Sequence, residues 1–205
     1  NSLKSADNMM KMKYDMSGAS CVISIMKFII KSKIEMNIMG IIPSVENMQD
    51  GSSIKPGDII TTNKNTSVEI LNTDAEGRMI LLDALIYASK FNPETIIDIA
   101  TLTGACIVAL GDYYTALYSK SKTLIKELIK SGNLSNDRCW LMPLTDYYEK
   151  QLKSNIADIT NIGNSGAGSI TAACFLYKFI NKYNWAHLDV AGTATNNSIK
   201  NLKNS

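Results

Sequence analysis

The sequence predicts an α/β layered domain, and three observations carry that prediction. Strand-like and helix-like runs alternate along the chain. At 205 residues and 45% hydrophobic content, there is enough apolar material for one compact core. No Gly/Ser/Pro-rich linker, internal repeat or low-complexity tract divides the chain, so residues 1–205 read as one unit.

The elements follow in order. Residues 17–33 read as a helix opened by small residues, with Val22, Ile25, Met26, Ile29 and Ile30 as its apolar positions. Residues 36–42 read as a buried strand stopped by Pro43, followed by a loop from Ser44 to Gly57. Ile59 to Thr62 and Ser67 to Leu71 read as a hairpin turning at Lys64-Asn65. A helix is expected over 77–90 and an apolar strand over 95–100, interrupted only by Asp98. Thr101-Leu102-Thr103-Gly104 is a turn opening a short helix, 105–110. Residues 115–118 form a candidate strand, and 121–131 and 144–153 read as amphipathic helices. A flexible loop, 163–168, leads into a helix over 169–181, and residues 185–191 complete the pattern as a buried strand.

Bulk properties exclude several classes. A formal net charge of +2 gives no electrostatic reason to expect a nucleic-acid or membrane partner. No apolar run approaches the ~20 residues of a membrane helix, and no signal peptide opens the chain, so the expected compartment is the cytoplasm. Cys21, Cys106, Cys139 and Cys174 form no CxxC pair and lie in apolar segments, as reduced, buried thiols do.

The chemistry concentrates in Asn72-Thr73-Asp74-Ala75-Glu76-Gly77-Arg78. This run lies between a strand-like and a helix-like segment, where open α/β sheets place ligand sites. If the segment is extended, Asp74 and Glu76 point to one side. Converging carboxylates repel unless a proton or a cation compensates them, and a divalent metal is the natural solution. The alternative is a solvated acidic turn in which Glu76 favours the following helix N-terminus. Asp15 precedes the first helix, where a helix cap is the alternative, and Lys4 is either functional or a surface lysine. Asp98 and Asp189 sit inside apolar strands and need partners there, so each is either structural or near the site. His187 is the single histidine, so a multi-histidine zinc site is impossible. Metal chemistry falls to carboxylates and a lysine. Arg78 and Arg138 are the only arginines in a lysine-rich chain.

These residues resemble the signature of the leucyl aminopeptidases, also called cytosol aminopeptidases. The resemblance continues through Met16-Ser17-Gly18-Ala19, Glu46-Asn47-Met48, Lys55-Pro56-Gly57-Asp58, the run from Asp98 to Ala105, and the run from Trp185 to Gly192. It implies a central mixed β-sheet flanked by helices and removal of the N-terminal residue, preferentially leucine or another apolar one, from peptides with a free N-terminus. It implies two divalent metal ions, zinc or manganese, with Asp15, Asp74 and Glu76 as ligands, and a bicarbonate at Arg78. Lys4 corresponds to the lysine that polarises the scissile carbonyl. Met12, Thr101, Gly104 and Ala191 correspond to the wall of the first side-chain pocket, with Lys4 and Asp15 also at the substrate. A homo-hexamer is implied for the full-length protein.

The chain departs from the family pattern at its ends. The pattern has a metal-binding lysine and a bridging aspartate upstream of Lys4, an amino-terminal domain before them, and a closing segment after the position of Ser205. Residues 1–205 are therefore expected to be an incomplete catalytic domain, inactive on its own and short of metal ligands. The rival expectation is a catalytically inactive truncated relic or scaffold subunit of the same family. Leu82 and Asn65 also depart from the usual alanine and glycine. Asn65 is tolerable there because Asn enters positive φ readily.

Overall fold

A computed structural model of the protein describes residues 4–164 and 166–195. Helix α1 (Ala6–Met9) runs through a 3-10 segment, Met10–Met16, into α2 (Ser17–Lys31). The hairpin β1 (Ile59–Thr61) and β2 (Ser67–Glu69) follows, then a 3-10 turn, Thr73–Ala75, and α3 (Gly77–Ser89). Next come β3 (Thr95–Ala100), α4 (Gly104–Leu110), β4 (Thr115–Ser119), α5 (Lys122–Ser135) and β5 (Cys139–Leu141). The described chain ends with α6 (Asp146–Glu149), β6 (Ile159–Thr160), α7 (Gly168–Ile180), β7 (Asn184–Asp189) and a 3-10 turn, Thr193–Thr195.

The main sheet is mixed, in the order β3-β7-β4-β5. β3 and β7 run parallel, β7 and β4 antiparallel, β4 and β5 parallel. A smaller mixed sheet has the order β1-β2-β6, with β2 parallel to β6 and Glu69 opposite Thr160. The expected mixed-sheet α/β architecture is thus present, divided between two sheets.

Burial explains the arrangement. Every residue of β4 is buried, so this strand is covered on both faces. Helix α7 is buried along almost its whole length, because its sequence is apolar or small all round. It packs against α3 and supplies Phe175, Leu176 and Ile180 to a core shared with Leu82, Tyr118 and Trp185. The four cysteines are free thiols. Burial pushes Cys106 and Cys174 up to about 11, as unreactive packing groups require.

The β3–β7 pairing sets up the site. Its register places Asp98 opposite His187 and Ala100 opposite Asp189, so both strands end side by side. The chain leaving β3 carries Thr101 and Gly104, and the chain leaving β7 carries Ala191. The start of α2 crosses the same end: a side-chain carbon at Gly18 would lie 2.1 Å from the Ile99 carbonyl oxygen. Only glycine allows that approach, and it brings Asp15 to the end of β3.

Three expectations change. Residues 36–42 form no strand, and Met36, Ile38 and Met39 are exposed. Among the described residues nothing pairs with this segment. It passes along α2 instead, with Gly40 seated against Val22 and Met26. On α2 only Val22, Met26 and Ile29 of the expected apolar face are half-buried, while Ile25 and Ile30 are exposed. The helix expected over 144–153 is α6 plus a 3-10 turn, Lys150–Leu152. There Leu152 turns into the core and Lys153 is already extended. β5 and β6 were not anticipated, since strands of three and two residues leave no periodicity to read.

The Gly18 contact yields a prediction. Gly18→Ala forces α2 away from β3 and is expected to destabilise the protein by about 1–3 kcal/mol, the usual cost of overpacking. Urea unfolding of the variant checks this, and an unchanged midpoint contradicts the close approach.

Candidate active site at the ends of two parallel strands

The acidic run is not extended. Asn72 is, and its side-chain oxygen accepts from the Asp74 N–H at 2.8 Å, starting the 3-10 turn Thr73–Ala75. With three residues per turn, positions i and i+2 lie about 120° apart. Asp74 and Glu76 are therefore not aimed together by local geometry. Each is held by a remote partner instead. Lys4 Nζ donates to Asp74 Oδ1 at 2.7 Å, and Asn47 Nδ2 donates to Glu76 Oε1 at 2.8 Å.

The bland alternatives for these acids do not describe what they do. Glu76 occupies the cap position of α3 but makes no side-chain cap bond, and its Oε2 is buried without a hydrogen-bond partner. Asp15 caps no helix, since the cap position of α2 is Met16. The Asp15 Oδ1 and backbone carbonyl both face the Thr101 hydroxyl, at 2.6 and 3.0 Å. Asp15 is thereby fixed to the end of β3. The acidic turn borders the same stretch, because a side-chain carbon at Gly77 would lie 3.8 Å from Leu102 Cδ1.

The three carboxylates nevertheless do not form one cluster. Among the described residues no group of three or more His, Cys, Asp or Glu side chains is arranged to hold a metal ion. Three like charges repel, and separate partners engage them, Lys4 on Asp74, Asn47 on Glu76 Oε1 and Thr101 on Asp15, with Glu76 Oε2 left over.

The pocket-wall candidates are organised by Asp189, which the sequence left as either structural or near the site. Its carboxylate accepts from the Leu102 N–H at 3.1 Å, the Thr103 hydroxyl at 2.7 Å and the Ala191 N–H at 3.2 Å. That joins Thr101, Gly104 and Ala191 into one frame. Gly104 is exposed, and a side-chain carbon there would meet nothing within 4 Å, so this position faces open space. Met12 is half-buried on the 3-10 segment that packs against the turn Thr193–Thr195, beyond Ala191.

Arg78 stands behind the acidic turn rather than on the surface. It is buried, and its Nη1 donates to the Asn161 carbonyl at 2.7 Å. Burial pushes the guanidinium down to about 10, with Asp189 pulling the other way, so it stays charged at neutral pH. Among the described residues it makes no surface ion pair. Asn161 completes this support. Its side chain accepts from the Leu71 and Asn72 N–H groups at 2.8 and 3.3 Å and donates to the Asn72 carbonyl at 2.7 Å. Neither Asn161 nor Asn47 was singled out from sequence. The only signal for Asn47 was its place in the Glu46-Asn47-Met48 match, and Asn161 left none.

Asp98 is structural. It accepts from Trp185 Nε1 at 2.6 Å and pairs with His187 Nδ1. His187 is fully buried, stacked on Trp185 and Tyr118, and its Nε2 has no hydrogen-bond partner.

Fold and site together define a class: an α/β domain with carboxylates and a lysine at the carboxyl ends of parallel strands, and its one histidine buried away from them. Comparison with known proteins narrows this. The sequence matches the Cytosol aminopeptidase family, catalytic domain, over residues 1–205. A probable cytosol aminopeptidase of Methylobacillus flagellatus is 52% identical over 193 residues, which cover 94% of this chain and 39% of that protein. One from Paraburkholderia phymatum is 54% identical, covering 94% of this chain and 38% of its own length. A solved structure, a tomato leucine aminopeptidase mutant, superposes with a TM-score of 0.85 at 38% identity, covering 92% of this chain and 38% of that one. The chain belongs to the cytosol aminopeptidase family and carries sequence of its catalytic domain. It spans about two-fifths of the length of the relatives it matches. Among the described residues no helix is long and apolar enough to cross a membrane.

The buried His187–Asp98 pair gives a pH prediction. Burial disfavours the imidazolium, but the charge and hydrogen bond of Asp98 outweigh it, so the His187 pKa is raised. The resulting stabilisation is fully present below the ordinary histidine pKa, about 6.5, and is lost as pH rises through the raised value. As the only histidine, His187 should give one NMR titration, with its midpoint above 6.5. Asp98→Asn should remove that upshift and cost about 3–5 kcal/mol by leaving a buried group unpaired.

Proposed function

We propose that this domain hydrolyses the N-terminal residue from peptides with a free N-terminus, preferring leucine or another apolar residue, with two divalent metal ions as cofactors. The observation that carries this reading is the buried, unpartnered Oε2 of Glu76, two residues along the chain from the Lys4-bound Asp74, within a cytosol aminopeptidase catalytic-domain sequence. An anionic oxygen denied both water and donors is costly, and a cation relieves it.

The donor chemistry fits hard or borderline ions such as manganese or zinc, with Asp15, Asp74 and Glu76 as the holding residues. The donor set is incomplete as it stands, since the described residues gather no cluster of three. A bound divalent metal supplies Lewis acidity toward the scissile carbonyl and a water activated near neutral pH. This chain's residues do the rest. Lys4, already drawn toward the acids by Asp74, presents its ammonium to the oxyanion of the tetrahedral intermediate. Asp15 and Lys4 border the substrate. Arg78 keeps a buried positive charge behind the acidic turn, and its planar fork suits a carbonate-like anion such as bicarbonate, a proton carrier. Met12, Thr101, Gly104 and Ala191 form the pocket wall for the first side chain, held in register by Asp189. The reading extends to a cytosolic hexamer at the length of the relatives, with no nucleic-acid or membrane partner.

Two measurements test it. Metal content together with turnover of a leucine anilide comes first. Hydrolysis that needs zinc or manganese, and is abolished by Glu76→Gln, supports the enzyme. Metal uptake without hydrolysis in the protein at the length of its relatives favours the scaffold-subunit alternative instead. There Arg78→Ala should lower turnover about 10²-fold or more, as loss of a proton-transfer route does, with little change in bound metal. Unchanged turnover removes Arg78 from the mechanism. The second measurement is metal titration of the 205-residue chain itself. At most one tight equivalent and negligible hydrolysis are expected, and two tight equivalents with robust turnover would show its ligand set to be complete.

A further inference from the structure

We infer that Asn47 is a positioning residue for the metal-binding carboxylate of Glu76, selecting which of its two oxygens faces the cation. The inference rests on the proposed metallopeptidase reading and deepens it. A carboxylate only accepts hydrogen bonds, so the amide presents its Nδ2, at 2.8 Å from Glu76 Oε1. With Oε1 engaged, Oε2 is left buried and without a partner. The terminal torsion of a glutamate is broad and roughly two-fold, so Glu76 alone has no preference between its oxygens. One directional bond to Oε1 fixes the carboxylate plane and commits Oε2 to the metal side. Hydrogen bonds of this kind orient ligating carboxylates and tune metal affinity.

The loop carrying Asn47 is built to hold that position. Asp50 Oδ1 accepts from the N–H and hydroxyl of Ser52, both at 2.7 Å, and the Asp50 N–H donates to the Ser53 hydroxyl at 2.8 Å. The Ser53 hydroxyl donates to the Met48 carbonyl at 3.1 Å, directly beside Asn47. At the far end, the Gly57 N–H donates to the Ile70 carbonyl at 2.7 Å, and the Ile70 N–H returns to the Asp58 carbonyl at 2.9 Å. Ile70 lies two residues before Asn72, so loop and acidic turn share one anchor. Asn47 itself is exposed, so its side chain contributes no core packing.

The experiment is Mn²⁺ titration of the purified protein by electron paramagnetic resonance, for wild type and Asn47→Ala, with the unfolding midpoint measured without metal. Removing the amide should weaken Mn²⁺ binding about 10–100-fold and leave the metal-free midpoint unchanged. Wild-type uptake that Asn47→Ala leaves within twofold overturns the positioning role alone. A fall in the metal-free midpoint with affinity preserved likewise overturns it, in favour of a structural role. Absence of Mn²⁺ uptake by the wild type overturns the metal reading itself, and this inference with it.

Discussion

The carboxylate of Asp189 is the constraint on which the site end of the molecule depends. It is fully buried at the last position of β7 and accepts hydrogen bonds from the Leu102 and Ala191 N–H groups and the Thr103 hydroxyl. A further bond comes from the Ser169 hydroxyl at 3.3 Å, which in turn accepts from Tyr118 at 2.7 Å. Bonds to a charged group contribute about 1.5–3 kcal/mol each, which offsets the cost of burying a carboxylate that forms no ion pair among the described residues. The charge also conditions its surroundings. Burial first, and Asp189 after it, keep Cys106 and Tyr118 protonated, so Tyr118 remains the donor that this chain of hydroxyls requires.

Two networks of different strength meet at the acidic turn. The rear one is buried: Arg78 on the Asn161 carbonyl, and Asn161 on the backbone of Leu71 and Asn72. Losing a member would leave backbone groups unsatisfied, so this support is rigid. The front one is the Lys4–Asp74 ion pair, with side chains 27% and 45% exposed. Exposed pairs of this kind contribute about 0–1 kcal/mol and are screened by salt. Asp74 can exchange Lys4 for another cation at little cost, while its N–H stays on the side chain of Asn72, whose backbone Asn161 holds. The turn is thus rigid in its backbone while the Asp74 carboxylate at its front is lightly engaged.

Sequence reasoning placed the candidate residues on the elements that carry them because those elements are local. The position of Asp74 and Glu76 between a strand and a helix, and of Thr101 after β3, could be read from apolar runs and turn residues alone. The way the carboxylates are held could not. Asn161 lies 83 residues from Arg78 and Asn47 lies 29 residues from Glu76, and no periodicity encodes such pairs. The extended geometry expected for residues 72–78 failed for a related reason. The Asn72 side chain competes for the Asp74 N–H and winds the run into a 3-10 turn. Residues 36–42 differ from the expected strand because a short apolar run by itself specifies neither a pairing partner nor burial, and Met36, Ile38 and Met39 are exposed.

Position 78 shows why residue type, and not only charge, matters here. The chain uses lysine for nearly all of its positive charge, yet places one of its two arginines at this buried point. A buried ammonium loses its proton readily, whereas a guanidinium pushed down to about 10 is still charged at neutral pH. The guanidinium also carries five N–H donors, and the Asn161 carbonyl engages only Nη1. A lysine here would have to spend its compact charge on that one carbonyl and would be more easily neutralised by burial. Arginine can brace the turn from behind and still keep its charge and further donors, which makes a lysine-for-arginine exchange far from conservative at this position.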